Sequence, residues 1–203
     1  MKKLTTLLLF SCIAVLSYAQ SIVMTSGSID FIKDQKVIQF TFSYDEMLVG
    51  KLTESEYVNK KTSEYNSKEA GKGDEWKAAW FNDRKGRFEP KFHELFDKHM
   101  SEAGIVSGTE GAKYRIEINT DFTEPGWNVG VMRQNASVDL NCKVKNIETG
   151  EQVATIKIRN ASANNFWGTD FTAGYRVQET YAKAGRELAK FFIKKAKLPK
   201  IKE

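Results

Sequence analysis

Four stretches of the chain alternate apolar and polar residues with a period of two. In residues 37–44, Ile38, Phe40, Phe42 and Tyr44 alternate with Gln39, Thr41 and Ser43. Residues 113–122 set Tyr114, Ile116, Ile118 and Phe122 against Arg115, Glu117 and Asn119. Residues 137–145 set Val138, Leu140, Cys142 and Val144 against Asp139, Asn141, Lys143 and Lys145. In residues 152–159, Ala154, Ile156 and Ile158 alternate with Thr155, Lys157 and Arg159. Such alternation marks strands with one covered and one wet face, the usual habit of antiparallel sheets. Residues 22–32 predict a less regular strand, which residues 33–36 turn into the next.

Elsewhere the period lengthens to that of a helix. Val177, Tyr181, Ala184, Leu188 and Phe192 form one apolar stripe in a predicted helix over residues 173–195. A second helix is expected from an Asp74 N-cap, with Glu75 in its first turn. It carries Trp76, Trp80, Phe88, Phe92, Leu95, Phe96 and Met100, and Pro90 is expected to break or kink it near Glu89. Thr53 and Glu56 form a capping box for a shorter helix reaching about Tyr65. Residues 66–73 read as a polar connector. The expected order is two strands, two helices, three strands and a helix. That order predicts an α+β fold: a two-layer sandwich with a mostly antiparallel sheet of about four to five strands and long helices on one face.

The first residues place the protein. Met1-Lys2-Lys3 is a cationic head, residues 4–16 are an apolar run, and Ser17-Tyr18-Ala19 is a small-x-small cleavage site before Gln20. This pattern predicts a secretory signal peptide over residues 1–19, too short for a membrane span. The mature chain, residues 20–203, is expected to form a single domain. Export removes the prior for cytosolic roles and for a nucleic-acid partner. Loss of Lys2 and Lys3 lowers the formal charge from +5 to +3. Much of the excess lies in a basic tail from about residue 194, with Lys194, Lys195, Lys197, Lys200 and Lys202. That tail reads as a frayed, solvated helix end whose cations suit the helix dipole, so membrane association is at most peripheral. Leu9-Phe10-Ser11-Cys12 resembles a lipoprotein box. The apolar run continues past it through residues 13–16, which favours cleavage after Ala19. Cys142 is then the only mature cysteine, expected as a core thiol without a disulfide.

No catalytic constellation is visible, and neither a cofactor nor a metal is expected. His93 and His99 stand six apart, on different sides of a helix, whereas a zinc-binding helix needs them four apart. His93 and Asp97 are correctly spaced to meet, but two ligands do not make a site, and a solvated helix face is expected there. Gly71 and Gly73 lack the lysine or third glycine of a phosphate loop. Asn135 and Asn160 match the glycosylation acceptor pattern, which is common by chance.

The two loops over residues 123–134 and 160–172 are longer than a tight hairpin needs, and both hold glycine and large apolar residues. Strand direction brings both out at one end of the sheet. The candidate binding residues are Trp127, Met132, Arg133, Phe166, Trp167 and Phe171. They either close the core or present an aromatic patch with one cation.

Three stretches carry a family resemblance: Gly71-Lys72-Gly73-Asp74-Glu75-Trp76, Glu124-Pro125-Gly126-Trp127-Asn128-Val129-Gly130-Val131-Met132, and residues 174–185 from Gly174 to Gly185. Over roughly residues 44–193 the chain resembles a group of small secreted proteins from Bacteroides-type gut and oral bacteria. That likeness implies export and no assigned activity. The element order is also similar to the small domains of envelope assembly factors, among them the amino-terminal domain of TolB and the lipoprotein activators of peptidoglycan synthases. The expectation is an exported, non-catalytic module of the bacterial envelope that binds a protein partner. A glycan- or lipid-binding role is the alternative, and a hydrolase with an unrecognised site is a further one. Oligomeric state is not legible.

Overall fold

The computed structural model describes residues 20–129, 132–162 and 172–201. The signal-peptide reading of residues 1–19 lies outside them. In chain order the strands and helices begin with β1 (Ser21–Gly27), β2 (Val37–Ser43), and the two-residue strands β3 (Leu48–Val49) and β4 (Leu52–Thr53). Three helices follow: α1 (Glu54–Asn66), α2 (Lys72–Asp83) and α3 (Glu89–Met100). Then come β5 (Val106–Ser107), β6 (Tyr114–Glu124), β7 (Trp127–Val129), β8 (Met132–Gln134), β9 (Ser137–Asn146), β10 (Gln152–Ser162) and α4 (Ala173–Ala196). The fold is α+β, with one mixed main sheet.

The sheet runs β1-β10-β9-β6-β2-β5, with β3 and β4 attached beside the end of β6. β1, β10, β9 and β6 pair antiparallel. β2 is parallel to both β6 and β5, and β3 is parallel to β6. The expected mostly antiparallel sheet of about four to five strands is therefore corrected to a mixed one, with eight strands among the described residues. The chain between β2 and β6 contains three helices, a crossover long enough to return the next strand in the same direction. Alternation along β2 is the same for either direction, because it records coverage of a face and nothing about the neighbour.

The strand expected over residues 22–32 is also shorter. β1 ends at Gly27, whose φ is +80°; a Cβ there would fall 1.9 Å from the Val153 carbonyl oxygen. Ser28 then caps a 3₁₀ turn, Ile29–Ile32, which buries Phe31 and Ile32 in the core. β1 and β2 are separated by β10, β9 and β6, so residues 33–36 do not join a hairpin.

The buried face of the sheet carries Ile116, Ile118, Leu140, Cys142, Val144, Ile156 and Ile158. Phe92, Phe96 and Met100 of α3 and Leu188, Ala189 and Phe192 of α4 pack in the same cluster. Cys142 is the expected core thiol; burial pushes its pKa up to about 12. α3 and α4 approach closely at Gly185, where a Cβ would lie 2.3 Å from the Phe92 carbonyl oxygen.

Thr53 and Glu56 make the predicted capping box on α1. The N-cap of α2 is Gly71 in the left-handed region, not Asp74. Asn66 explains the shift. Its Oδ1 accepts from the Gly73 N–H at 2.7 Å and its Nδ2 donates to Asp74 at 3.2 Å, so Asn66 supplies the capping acceptor and Asp74 falls inside the first turn. The regular α-helix is interrupted just ahead of Pro90, as expected near Glu89, and α3 starts anew there. A π-turn, Arg84–Phe88, precedes it, and the Glu89 N–H bonds back to the Arg84 carbonyl. The wider turn accommodates the proline ring, which would clash with the carbonyl four residues back in a regular helix.

The tail is not frayed over its described length. Lys197 takes a left-handed conformation, the Leu198 N–H bonds to the Ile193 carbonyl, and the Ile201 N–H bonds to the Glu102 carbonyl at 2.8 Å. Lys200 pairs with the Glu102 carboxylate at 2.8 Å.

Candidate functional site

Strand register sets the geometry of the loop end. Ser137, at the start of β9, lies opposite both Glu124 at the end of β6 and Ser162 at the end of β10. The chain therefore leaves β6 and β10 at the same end, as strand direction predicts. The first loop is more ordered than expected. Gly126 turns the chain with φ +64°, and β7 and β8 then pair as a small antiparallel hairpin with Trp127 opposite Gln134. A Cβ on Gly126 would meet the Gln134 carbonyl oxygen at 2.5 Å.

Trp127 is 41% exposed and Met132 is 62% exposed. Arg133 is also exposed. The Trp127 indole Nε1 donates to Gln134 Oε1 at 2.9 Å, which orients the ring along the hairpin. Arg176, in the second turn of α4, donates from Nε to the Pro125 carbonyl and from Nη2 to the Gly126 carbonyl, both at 2.9 Å. The start of α4 thus ties the hairpin down. Phe166, Trp167 and Phe171 lie outside the described residues, so of the six candidates Trp127, Met132 and Arg133 are placed.

Sequence reasoning missed three exposed apolar side chains at this same end: Leu48, Phe81 and Tyr175. Leu48 stands opposite Phe122 in the β3–β6 pairing. The Arg87 guanidinium lies 4.4 Å from the Tyr175 ring centre, and that of Arg84 lies 4.9 Å from Phe81. Phe81 and Tyr175 belong to helices whose apolar stripes point elsewhere, so only the assembled fold brings them to the loops.

Beneath these residues sits a polar cluster. Arg84 Nη2 donates to both carboxylate oxygens of Glu54, to Oε2 at 2.6 Å. Trp80 Nε1 also donates to Glu54 Oε1, at 2.7 Å. The Arg84 guanidinium stacks 4.1 Å from the Tyr44 ring centre, a favourable cation–π distance. These groups line a cavity of about 10 Å³ together with Phe88, Thr123, Val177 and Tyr181. A single water is the most such a space holds. Burial pushes the pKa of Tyr44 and of Tyr181 upward, so both remain neutral phenols at ordinary pH. Tyr181 shares a 2.6 Å hydrogen bond with Thr120. The cluster fixes α1 and the π-turn to the sheet. Glu54 and Arg84 are 30 residues apart, and no local pattern links them.

The helix face carrying His93 and Asp97 is not solvated as expected. Asp97 accepts from the Ser107 N–H at 2.6 Å and from the Ser107 hydroxyl at 2.7 Å. His93 Nδ1 lies 2.9 Å from the same hydroxyl oxygen, and its ring meets Phe40 and Phe42 edge-on. Because the hydroxyl proton points to Asp97, His93 acts as the donor. Desolvation lowers the His93 pKa and keeps it neutral. A nucleophilic serine needs its proton directed at a base held by a third group, and here a carboxylate already holds it. The trio clamps β5 to α3.

Among the described residues no group of three or more histidine, cysteine or acidic side chains converges as a metal site. No described helix is long and apolar enough to cross a membrane.

No protein-family model matches the sequence, and no curated protein matches it. Two solved structures of PelC dodecamers from Paraburkholderia phytofirmans, one of them a point variant, are similar at 10% identity. The first covers 80% of this chain and 97% of its own, with a TM-score of 0.37. The second covers 81% and 96%, with a TM-score of 0.34. At those scores the likeness assigns nothing to this chain.

Proposed function

We propose that the protein is an exported, non-catalytic module of the bacterial cell envelope that engages a protein partner through the loop end. The supporting observation is where apolar surface is left uncovered. Nine large hydrophobic side chains are exposed among the described residues. Five of them, Leu48, Phe81, Trp127, Met132 and Tyr175, belong to this one end. Concentrated apolar surface rimmed by arginines is what a recognition face requires, and aromatic, methionine and arginine side chains are enriched in such faces. Loops held on a rigid sheet are the usual carriers.

In-cell crosslinking with affinity capture tests the reading. Wild-type protein is expected to yield one abundant envelope partner, which the Trp127→Ala/Trp167→Ala variant fails to capture. An identical capture profile for the two proteins would reject it.

One observation favours a second reading, a glycan ligand. The Trp127 indole is hydrogen-bonded at Nε1 and 41% exposed, and an exposed indole held in place is suited to stacking on a sugar ring. A saturable change in tryptophan fluorescence with cell-wall fragments, absent in Trp127→Ala, would support that alternative.

A further inference from the structure

The positive charge of this chain is concentrated in one place. Residues 183–203 hold eight Lys and Arg against two Asp and Glu; the remaining residues then hold 23 against 24. Within α4 all of these charges except Lys195 share one side. Lys183, Arg186, Lys190 and Lys194 recur at spacings of three and four, and Lys197 continues the series at the C-cap. That spacing puts them on one stripe of the helix. Leu188, Ala189, Phe192 and Ala196 occupy the opposite, buried side. The stripe therefore faces outward, with Lys190, Lys194 and Lys197 exposed and Lys183 and Arg186 half-exposed. Glu187 is its one acid, paired with Arg186 at 2.9 Å and Lys190 at 3.6 Å.

The surroundings enlarge the patch. Half-buried Phe191 and Ile193 flank the stripe on its two sides. A shallow groove beside it is lined by Ile22 and Phe191 together with Lys190 and Lys194, and also by Gln20 and Glu187. The stripe spans about 21 Å at the helical rise per residue. It lies on the half of α4 remote from Thr172, the residue at the loop end, so it is separate from the face proposed above.

We propose that this face of α4 seats the protein on a bilayer surface rich in anionic lipid headgroups. The chemistry is that of a peripheral amphipathic helix. Cations spaced along a straight, outward stripe match a plane of phosphates, and flanking Phe and Ile reach the headgroup boundary. A soluble polyanion would use the cations but not the apolar flanks, and the flanks decide between the two. The docked tail, tied through Ile201 and Lys200 to Glu102, keeps the end of the helix in place for this contact. The inference does not depend on the loop-end reading, and each stands or falls by its own experiment.

Cosedimentation of the mature protein with vesicles is the test. Binding is expected to equimolar phosphatidylglycerol and phosphatidylcholine, to be absent with phosphatidylcholine alone, and to disappear in about 0.5 M salt, where the screening length falls to a few ångströms. Each stripe cation contributes roughly fivefold in affinity, so Lys190→Glu/Lys194→Glu should cost well over twentyfold. Circular dichroism of that variant should match wild type, because both side chains are exposed. Lys143→Glu/Lys157→Glu, which makes the same charge change on the sheet, should bind like wild type. Glu187→Lys should bind more tightly. The proposal is overturned if anionic vesicles fail to sediment the protein at low salt. It is also overturned if the sheet variant loses binding as much as the helix variant, or if soluble polyphosphate binds while vesicles do not.

Discussion

The main core and the α1–α2 hairpin are held in different ways. α3 and α4 press an apolar stripe onto the sheet, on which Phe92, Phe96, Tyr181 and Phe192 are fully buried. α1 buries one residue, Val58, and α2 buries Trp80. Their separate cluster is Met47, Val49, Val58 and Trp80, with Tyr44, Tyr57 and Trp76 packed at its margin. Where the core relies on area, the hairpin relies on named polar contacts: the Thr53 capping box, the Asn66 bonds to Gly73 and Asp74, and the Glu54–Arg84–Trp80 cluster. Burial of area is cooperative and spread over many residues, whereas a few polar contacts can open together without unfolding the rest.

The largest effect belongs to the core. Phe92 contacts Phe40 and Phe42 edge-on and stacks on Phe96. Phe92→Ala is expected to cost about 3–5 kcal/mol of global stability in urea unfolding. A loss below about 1 kcal/mol would mean that α3 is not the keystone described here.

Gly185→Ala sharpens the same point. Alanine ordinarily stabilises a helix interior relative to glycine. Here its methyl would meet the Phe92 backbone, so the expected result is a loss of about 1–3 kcal/mol. A gain in melting temperature would contradict the close α3–α4 approach.

The hairpin should respond locally. Glu54→Gln weakens a half-buried charge-assisted cluster, at about 2 kcal/mol. Hydrogen exchange of the α1 and α2 amides should then speed up roughly thirtyfold, while α3 and α4 amides keep their protection. Equal acceleration in all four helices would show that core and hairpin are one cooperative unit.

The contrast also explains what could be read in advance. The buried faces of β2, β6, β9 and β10 and the stripe of α4 were legible because each buries one side along its whole length, and burial of that kind writes a period into the sequence. Cys142 in the core and the Thr53 capping box were legible for similarly local reasons. The parallel pairing of β2 with β6 was not, since Phe40 and Ile116 alternate alike in either direction. Glu54–Arg84, Asp97–Ser107 and the Asn66 link that displaces the α2 cap are contacts between side chains and distant partners, and no periodicity reports them. At the loop end, Trp127 and Met132 were recognisable as apolar residues beside glycine. Phe81 and Tyr175 were not, because they join that surface only when α2, α4 and the hairpin strands are assembled.

The smallest stability effect and the largest functional one should fall on the same residue. Trp127 is exposed beyond the core, and Trp127→Ala is expected to change unfolding free energy by less than about 0.5 kcal/mol. The most direct test of the binding face is therefore a paired measurement on this one variant, its melting temperature beside its partner capture. An unchanged melting temperature with capture lost is the predicted result. A melting temperature that falls by many degrees, or capture that persists, would return Trp127 to a structural role and contradict the account.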